Sequence, residues 1–217
     1  MRFVEFRAFA RGWKFFLTRY FTVPRFPNVH SKARLGSCDL IVNPDNLIMA
    51  ETATLKNDNV ILNGRARFII KKWSGAAEQL MVITGNHMFI SGKKGIEVSD
   101  EVKNKEDIGN EYDKDVVVDE DVWIGARVTI LSGVHVGRGC EIGAGTVLRK
   151  STPPYSIVIG NPAKVVGFRF TPEEIIEHEK NLYPEEERLP LSLLEKNYDQ
   201  YFLKQIKEIK KFTSLTL

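Results

Sequence analysis

Four histidines are the first candidates for chemistry in this chain: His30, His87, His135 and His178. Histidine is the one side chain whose unperturbed pKa lies near neutrality, so it can take up or give a proton under ordinary conditions. His87 stands where a repeating pattern gives way to a glycine-rich and charged stretch. We therefore take His87 as a candidate catalytic residue, with a loop histidine of no catalytic importance as the alternative.

The other histidines have weaker claims. His178 lies in a glutamate-rich helix, where a solvated or charge-paired side chain is expected. His135 occupies an outward or corner position, which indicates a surface role, with contact to a substrate or cofactor as the alternative. No motif surrounds His30.

Several other chemistries are excluded or disfavoured. No Ser-His-Asp order and no Cys–His pair with a supporting motif is visible, which disfavours a covalent enzyme intermediate. No Cys/His cluster has zinc spacing and no carboxylate constellation suits magnesium or calcium, so no metal is expected. A net charge of +3 is too small to argue for nucleic acid. Cys38 and Cys140 are expected to be free thiols, and the lack of a secretory signal or long apolar run predicts a cytoplasmic protein.

The element that must position these residues repeats every six residues. An aliphatic residue returns at Val118, Ile124, Ile130 or Leu131, Val136, Ile142 and Leu148, and a small or apolar residue follows four places on at Val122, Val128, Val134, Cys140 and Thr146. Six is neither the helical nor the strand period. It is typical of a chain wound as a triangular prism, with the aliphatic residues inside. The glycines of Ile124-Gly125, Val136-Gly137 and Ile142-Gly143 are expected where the chain bends at a corner.

The pattern is weaker outside this region. A degenerate register passes through Leu35, Ile41, Leu47 and Ala53 and reappears at Ile83 and Phe89, which suggests an insertion near residues 71–79. Residues 91–114 are glycine-rich and charged and cannot fill a prism, so they predict an excursion out of the coil. Its acids Asp100, Glu101, Glu106 and Asp107 indicate a solvated loop, with the shaping of a pocket as the alternative.

The two ends of the chain are predicted to be helical. Residues 1–27 are basic and aromatic and favour a helix ending before Pro24. The coil is expected to end after Pro153-Pro154. Thr171-Pro172-Glu173-Glu174 is a good helix start, and a second helix is expected near Leu191–Phe212. The predicted units are an N-terminal helix (1–27), the coil domain (28–170) and a C-terminal helical region (171–217).

Three motifs carry a resemblance to a known family: Asp121-Val-Trp-Ile-Gly125, Gly143-Ala-Gly145 and Ile159-Gly-Asn-Pro-Ala-Lys164. The chain resembles the hexapeptide-repeat acyltransferases, in particular their xenobiotic acetyltransferase and polysaccharide O-acetyltransferase branch, from about Leu35 to Phe170. The resemblance implies an all-β solenoid, a left-handed parallel β-helix. Periodicity alone leaves the handedness open, and the usual crossover rule would give the opposite hand. It also implies a homotrimer with active sites between subunits.

The resemblance assigns roles to particular residues. His87 matches the general base, and Trp123 lies with Asn86 on the acceptor side. Ala126 and Ala144 match positions beside the pantetheine arm of acetyl-CoA, the implied cosubstrate, and Arg149, Lys150, Pro162 and Lys164 match positions near its adenine and phosphate end. Asn86, Glu97 or Asp119 could orient the His87 imidazole. The alternatives are a large side chain on the rod for Trp123, an ordinary turn for residues 161–164 and a solvated basic pair for residues 149–150.

The implied function is acetyl-CoA-dependent O-acetylation of a sugar hydroxyl, of a surface polysaccharide or its precursor. Acetylation of an antibiotic, N-acetylation of an amino sugar, and a catalytically silent trimeric scaffold are the alternatives. Gamma-type carbonic anhydrases share the rod, but their zinc-binding histidines have no counterpart in the coils of this chain. Residues 1–22 would either cap the rod, which we favour, or contact an anionic membrane surface, which would suit a lipid-linked acceptor.

Overall fold

The computed structural model describes residues 26–203, with the side chains of residues 202 and 203 left out. The predicted N-terminal helix and the choice between capping and membrane contact for residues 1–22 therefore lie outside the described residues. No helix within residues 26–203 is long and apolar enough to cross a membrane.

The chain winds as a parallel β-helix with three faces, as the hexapeptide period predicts, and the left hand implied by the family resemblance is confirmed. Face I has seven strands: β1 (Arg34–Leu35), β4 (Thr54–Leu55), β7 (Gly75–Ala76), β10 (Trp123–Ile124), β13 (Glu141–Ile142), β15 (Ser156–Ile159) and β16 (Lys164–Phe168). Face II has five: β2 (Cys38–Ile41), β5 (Asn59–Leu62), β8 (Met81–Ile83), β11 (Thr129–Ile130) and β14 (Val147–Leu148). Face III has four: β3 (Leu47–Met49), β6 (Phe68–Ile70), β9 (Val116–Val118) and β12 (His135–Val136). Each coil passes from face I to II to III, which defines corners I/II, II/III and III/I.

The predicted inward residues form the core. Ile124, Ile130, Val136, Ile142 and Leu148 are fully buried, and Ile130 rather than Leu131 takes the inward position. Burial of apolar surface in this continuous stack is the main stabilising term of the rod. The β-helix continues past Pro153-Pro154, because β15 pairs in parallel with β13 before β16 returns antiparallel.

The repeat glycines serve close packing rather than an unusual backbone conformation. A Cβ on Gly125 would lie 2.6 Å from the backbone nitrogen of Ala144, in the coil above. The left-handed turn positions are one or two residues further on, and Asp121 and Arg127 occupy two of them with positive φ. The prediction that these glycines lie at corners where a Cβ does not fit is therefore confirmed.

The early coils are longer than the late ones. Arg34 pairs with Thr54 and Thr54 with Gly75, whereas Trp123 pairs with Glu141 eighteen residues on. The early register is degenerate because the early coils have extra residues at their corners. Residues 71–79 form part of a regular coil and contain no insertion. Phe89, predicted to point inward, is 75% exposed.

The excursion occupies residues 84–115 and is partly helical. It contains a 3-10 turn (Gly95–Glu97) and helix α1 (Asp100–Glu106), where a loop was predicted. Ser99 caps α1 by accepting a hydrogen bond from the Val102 N–H. The chain rejoins face III at Val116.

The C-terminal helices pack on corner III/I. Helix α2 (Pro172–Leu182) begins with the predicted Thr171 cap, and α3 (Leu191–Tyr198) is followed by a wide turn at Asp199–Leu203. Ile175 and Leu194 pack on the fully buried Tyr155. Glu179, also buried, accepts hydrogen bonds from Tyr155 and Arg138, which joins the helices to the rod. The predicted continuation of α3 to Phe212 lies outside the described residues.

Candidate active site

His87 lies at corner II/III, where the chain leaves β8 to begin the excursion. Both His87 and the preceding Asn86 are exposed, and within the described residues the imidazole makes no hydrogen bond. A free imidazole on the surface can accept a proton from a ligand without first losing a partner.

A buried ion cluster fixes the backbone next to His87. Lys103 of α1 donates to the Asn86 carbonyl oxygen and to Asp113 Oδ1, both at 2.6 Å. Asp113 also accepts from the Asn86 N–H at 3.2 Å. Arg65 lies within 3.4 Å of both Asp113 and Asp107. The side chains of Lys103 and Asp113 are only 10% and 4% exposed, so these contacts are held away from water.

The three residues suggested to orient His87 have other partners. Asn86 donates through Nδ2 to the Tyr112 carbonyl oxygen, and Glu97 accepts from the Lys94 N–H. Asp119 lies on face III beside His135. Among the described residues of one copy, no partner therefore selects the tautomer of His87.

His135 forms a pair that the sequence analysis did not identify. Its Nε2 lies 2.7 Å from Asp119 Oδ2, and Lys71 approaches the other carboxylate oxygen at 2.8 Å. The hydrogen bond with Asp119 raises the pKa of His135, although partial burial opposes the shift. The strand register could have revealed this pair, because His135 stands beside Val117 and Asp119 directly follows that strand. His135 is exposed on face III, and its surface role stays a prediction.

The remaining histidines are structural. His178 is half-buried, and its ring packs on Phe170 and Tyr155 at centroid distances of 5.2 and 5.9 Å. It belongs to an aromatic cluster rather than to a solvated face, and its Nε2 lies 3.9 Å from Asp121 Oδ2, in keeping with the charge-paired half of the prediction. His30 accepts a hydrogen bond from the Lys32 N–H in an exposed turn.

Small residues line corner I/II from coil to coil. Ala126 lies below Ala144 and Gly145, and the Gly145 N–H donates to the Ala126 carbonyl oxygen at 2.9 Å. Gly160 lies in the next coil toward the C-terminus, and its carbonyl oxygen accepts a hydrogen bond from the Val147 N–H. The resulting ledge has little side-chain bulk, so an extended ligand can approach the backbone.

A cationic pocket lies at the C-terminal end of the rod, and Pro162 of its lining follows Gly160 of the ledge by two residues. This pocket of about 380 Å³ is lined by Arg149, Lys150, Pro162 and Lys164, together with Ser151 and Tyr201. The structure thus brings together the four residues predicted for the phosphate end of a cofactor. Its volume is at the lower end of small-molecule sites, which span about 300–1,000 Å³.

Trp123 points outward from face I and is 53% exposed. Its ring lies over Gly75, since a Cβ on that glycine would be 3.5 Å from Trp123 Cζ3. The predicted outward orientation is therefore observed.

The predicted residues occupy two different corners of the prism. His87 and Asn86 lie at corner II/III, whereas Ala126 and Ala144 lie at corner I/II, with face II between them. Within residues 26–203 no group of three or more His, Cys, Asp or Glu could hold a metal ion. Cys140 is a free thiol buried in the core.

Comparison with known families matches residues 115–150 to the bacterial transferase hexapeptide family, in its six-repeat form. The hexapeptide repeat predicted from the sequence is therefore confirmed over residues 115–150, which form the most regular coils. Comparison with curated proteins gave no match.

Among solved structures, the chain is similar to a maltose O-acetyltransferase from Clostridium difficile 630, with 26% identity over 65% of each chain and a TM-score of 0.47. A hexapeptide-repeat acetyltransferase from Vibrio cholerae O1 biovar eltor, complexed with acetyl coenzyme A, is 21% identical over 61% of this chain and 63% of its own, with a TM-score of 0.46. The N-acyltransferase AntD from Bacillus cereus, in complex with dTDP and 3-hydroxybutyryl-CoA, is 18% identical over 70% and 84%, also with a TM-score of 0.46. The chain spans just under two thirds of the length of the first two.

Proposed function

We propose that the protein is an acetyl-CoA-dependent O-acetyltransferase that modifies a hydroxyl of a sugar, in a surface polysaccharide or its precursor. The observation that carries the proposal is the continuity of corner I/II with the cationic pocket. The ledge of Ala126 and Ala144 gives an extended pantetheine arm access to the backbone. Arg149, Lys150 and Lys164 then offer three cations to the phosphates at its far end.

The proposed reaction is a direct transfer. Neutral His87 takes the proton of the acceptor hydroxyl while the oxygen attacks the thioester carbonyl of acetyl-CoA. The tetrahedral oxyanion collapses, the carbon–sulfur bond breaks, and the CoA thiolate takes up the proton from the imidazolium. The ester and free CoA leave. A donor to the oxyanion is commonly worth about 3 kcal/mol, and backbone N–H groups of the corner are candidates for it.

The activity is tested by following release of the CoA thiol from acetyl-CoA in the presence of sugars, oligosaccharides and hydroxylated antibiotics. Turnover with sugars supports the proposal. Turnover confined to antibiotics would favour a xenobiotic acetyltransferase, turnover confined to amino sugars would favour N-acetylation, and no turnover would favour the scaffold.

A complete site needs a second copy, because His87 and the ledge lie at opposite edges of face II. The outward residues of this face are mostly apolar, and Leu40, Val42 and Met81 are 47%, 52% and 37% exposed. Three copies with face II toward a common axis would cover this surface and place His87 of one copy beside the ledge of the next. We therefore propose a homotrimer with three active sites between subunits.

Met81→Glu is expected to convert the trimer to monomers, because three carboxylates would be buried close together at the axis. Light scattering measures the mass. Ile69→Glu is the matched control, since Ile69 is an outward aliphatic residue of face III and its change should leave the trimer intact. Loss of the trimer in the control alone, or a fully active wild-type monomer, would contradict this arrangement.

Lys164→Glu is expected to raise the KM for acetyl-CoA by about tenfold or more with little change in kcat. The change acts on the phosphate end of the cosubstrate in the ground state and transition state alike. Initial rates at varied acetyl-CoA give both constants. Lys180→Glu, on α2 and away from the pocket, is the control for charge reversal. An unchanged KM would show that Lys164 only closes the last coil.

A further inference from the structure

A second pocket lies at corner III/I. This corner is one long edge of face I, and the alanine ledge lies along the other edge. It has a volume of about 340 Å³ and is lined by Trp73, Asp121, Val122, Trp123, Glu141 and Arg169. Both tryptophans are about half exposed, at 47% and 53%. Because the Trp123 ring extends over Gly75, toward the coil that carries Trp73, the two indoles border the same space.

The polar groups of the pocket offer both donors and acceptors. Arg169 Nη1 donates to Asp121 Oδ2 at 3.0 Å, which holds this carboxylate in place at the pocket wall. Glu141 is exposed, and its side chain makes no hydrogen bond within the described part of the chain. The ammonium of Lys72 lies 4.7 Å from the centroid of the Trp73 ring. Two indole N–H groups add further donors.

This balance of charge favours a neutral ligand. Two carboxylates beside two aromatic rings would suit an organic cation, but Arg169 and Lys72 already supply two positive charges there. A pyranose ring meets the requirements better. Its C–H faces pack on an indole, while its hydroxyls both donate to carboxylates and accept from N–H groups.

Two buried polar atoms next to the pocket also lack a hydrogen-bond partner. Tyr183 is 3% exposed and packs edge-on against Trp73 at 5.9 Å between centroids. Within residues 26–203 its hydroxyl has no hydrogen-bond partner, and neither has Nε2 of His178, which lies 3.9 Å from Asp121 Oδ2. Buried polar atoms are normally satisfied, so ordered water is expected next to the pocket.

We propose that the Trp73–Trp123 pocket is a subsite for a distal sugar ring of an oligosaccharide acceptor. This rests on the proposed function in that the sugar belongs to the acceptor of the same reaction. The pocket and the alanine ledge lie along opposite long edges of face I, so the ring in the pocket is a different unit from the one that meets the thioester. The acceptor is therefore a chain of at least two sugars, and Trp73 contributes to its selection.

Binding is tested on the full-length protein without acetyl-CoA, so that the result does not depend on turnover. Saturation-transfer NMR with maltotriose, cellotriose and triacetylchitotriose gives the Kd of each glycan. At least one is expected to bind, and Trp73→Ala is expected to weaken it about tenfold. Trp73→Phe keeps an aromatic face and should retain most of the affinity. Glu141→Gln, at an exposed side chain that cannot upset the core, should weaken binding about threefold.

Absence of binding by all three glycans overturns the inference, as does an unchanged Kd in both Trp73→Ala and Glu141→Gln. If a glycan binds through Trp73 but no acetyl transfer occurs, the subsite stands and the proposed reaction fails. If acetyl transfer occurs, Trp73→Ala should raise the KM for a trisaccharide about tenfold, with the KM for its monosaccharide and for acetyl-CoA unchanged. Equal effects on trisaccharide and monosaccharide would place the reacting sugar in the pocket and exclude a distal subsite.

Discussion

Replacement of His87 by Ala or Asn is expected to lower kcat for acetyl transfer by about 10²-fold or more, while the Kd for CoA stays nearly the same. The imidazole is the group that removes the acceptor proton, and it lies at a different corner from the residues proposed to hold CoA. Single-turnover and steady-state rates with a responsive sugar, together with calorimetric titration of CoA, separate the two effects.

His135→Asn is the matched control for this experiment. His135 is also an exposed histidine, but it pairs with Asp119 on face III, away from corner II/III. Its change should leave kcat within about twofold, in contrast to the loss of a general base. Near-normal turnover in the His87 variants, or an equal loss in His135→Asn, would remove His87 from the mechanism.

Asp113→Ala is expected to lower the free energy of unfolding by about 3–5 kcal/mol, since it leaves Lys103 as an unpaired buried charge. The same change removes the acceptor for the Asn86 N–H, so the segment that carries His87 loses its anchor and kcat should fall as well. Denaturant unfolding measures the stability, and hydrogen exchange of residues 84–115 reports the order of the excursion.

Asp115→Ala provides the comparison. Asp115 lies two residues away and pairs with Arg67, but that ion pair is exposed, with 30% and 53% of the two side chains accessible. Exposed ion pairs contribute only about 0–1 kcal/mol, so this variant should remain close to the wild type. Equal destabilisation by the two changes would show that burial of the Lys103–Asp113 pair is not what anchors the excursion.

The inward residues of the late coils could be predicted from the sequence, because each coil there has the same length. A period of six places Ile124, Val136 and Ile142 on the inside without knowledge of the rest of the chain. The early coils have extra residues at their corners, so the same rule misplaced Phe89 and suggested an insertion that does not exist. The glycines were recognised, but their reason, close approach to the coil above, depends on contacts between coils.

The sequence by itself determined the repeat, the three-faced rod and the helix that starts at Thr171, because each follows from short-range spacing and capping. It also singled out His87, Trp123 and the residues of corner I/II. Only the tertiary structure decided which corner each residue occupies, since that depends on the accumulated length of all preceding coils. The Lys103–Asp113 anchor, the His135–Asp119 pair and the meeting of Trp73 with Trp123 belong to this second class. Their partners lie in different coils or across the excursion, and spacing along the chain does not encode such contacts.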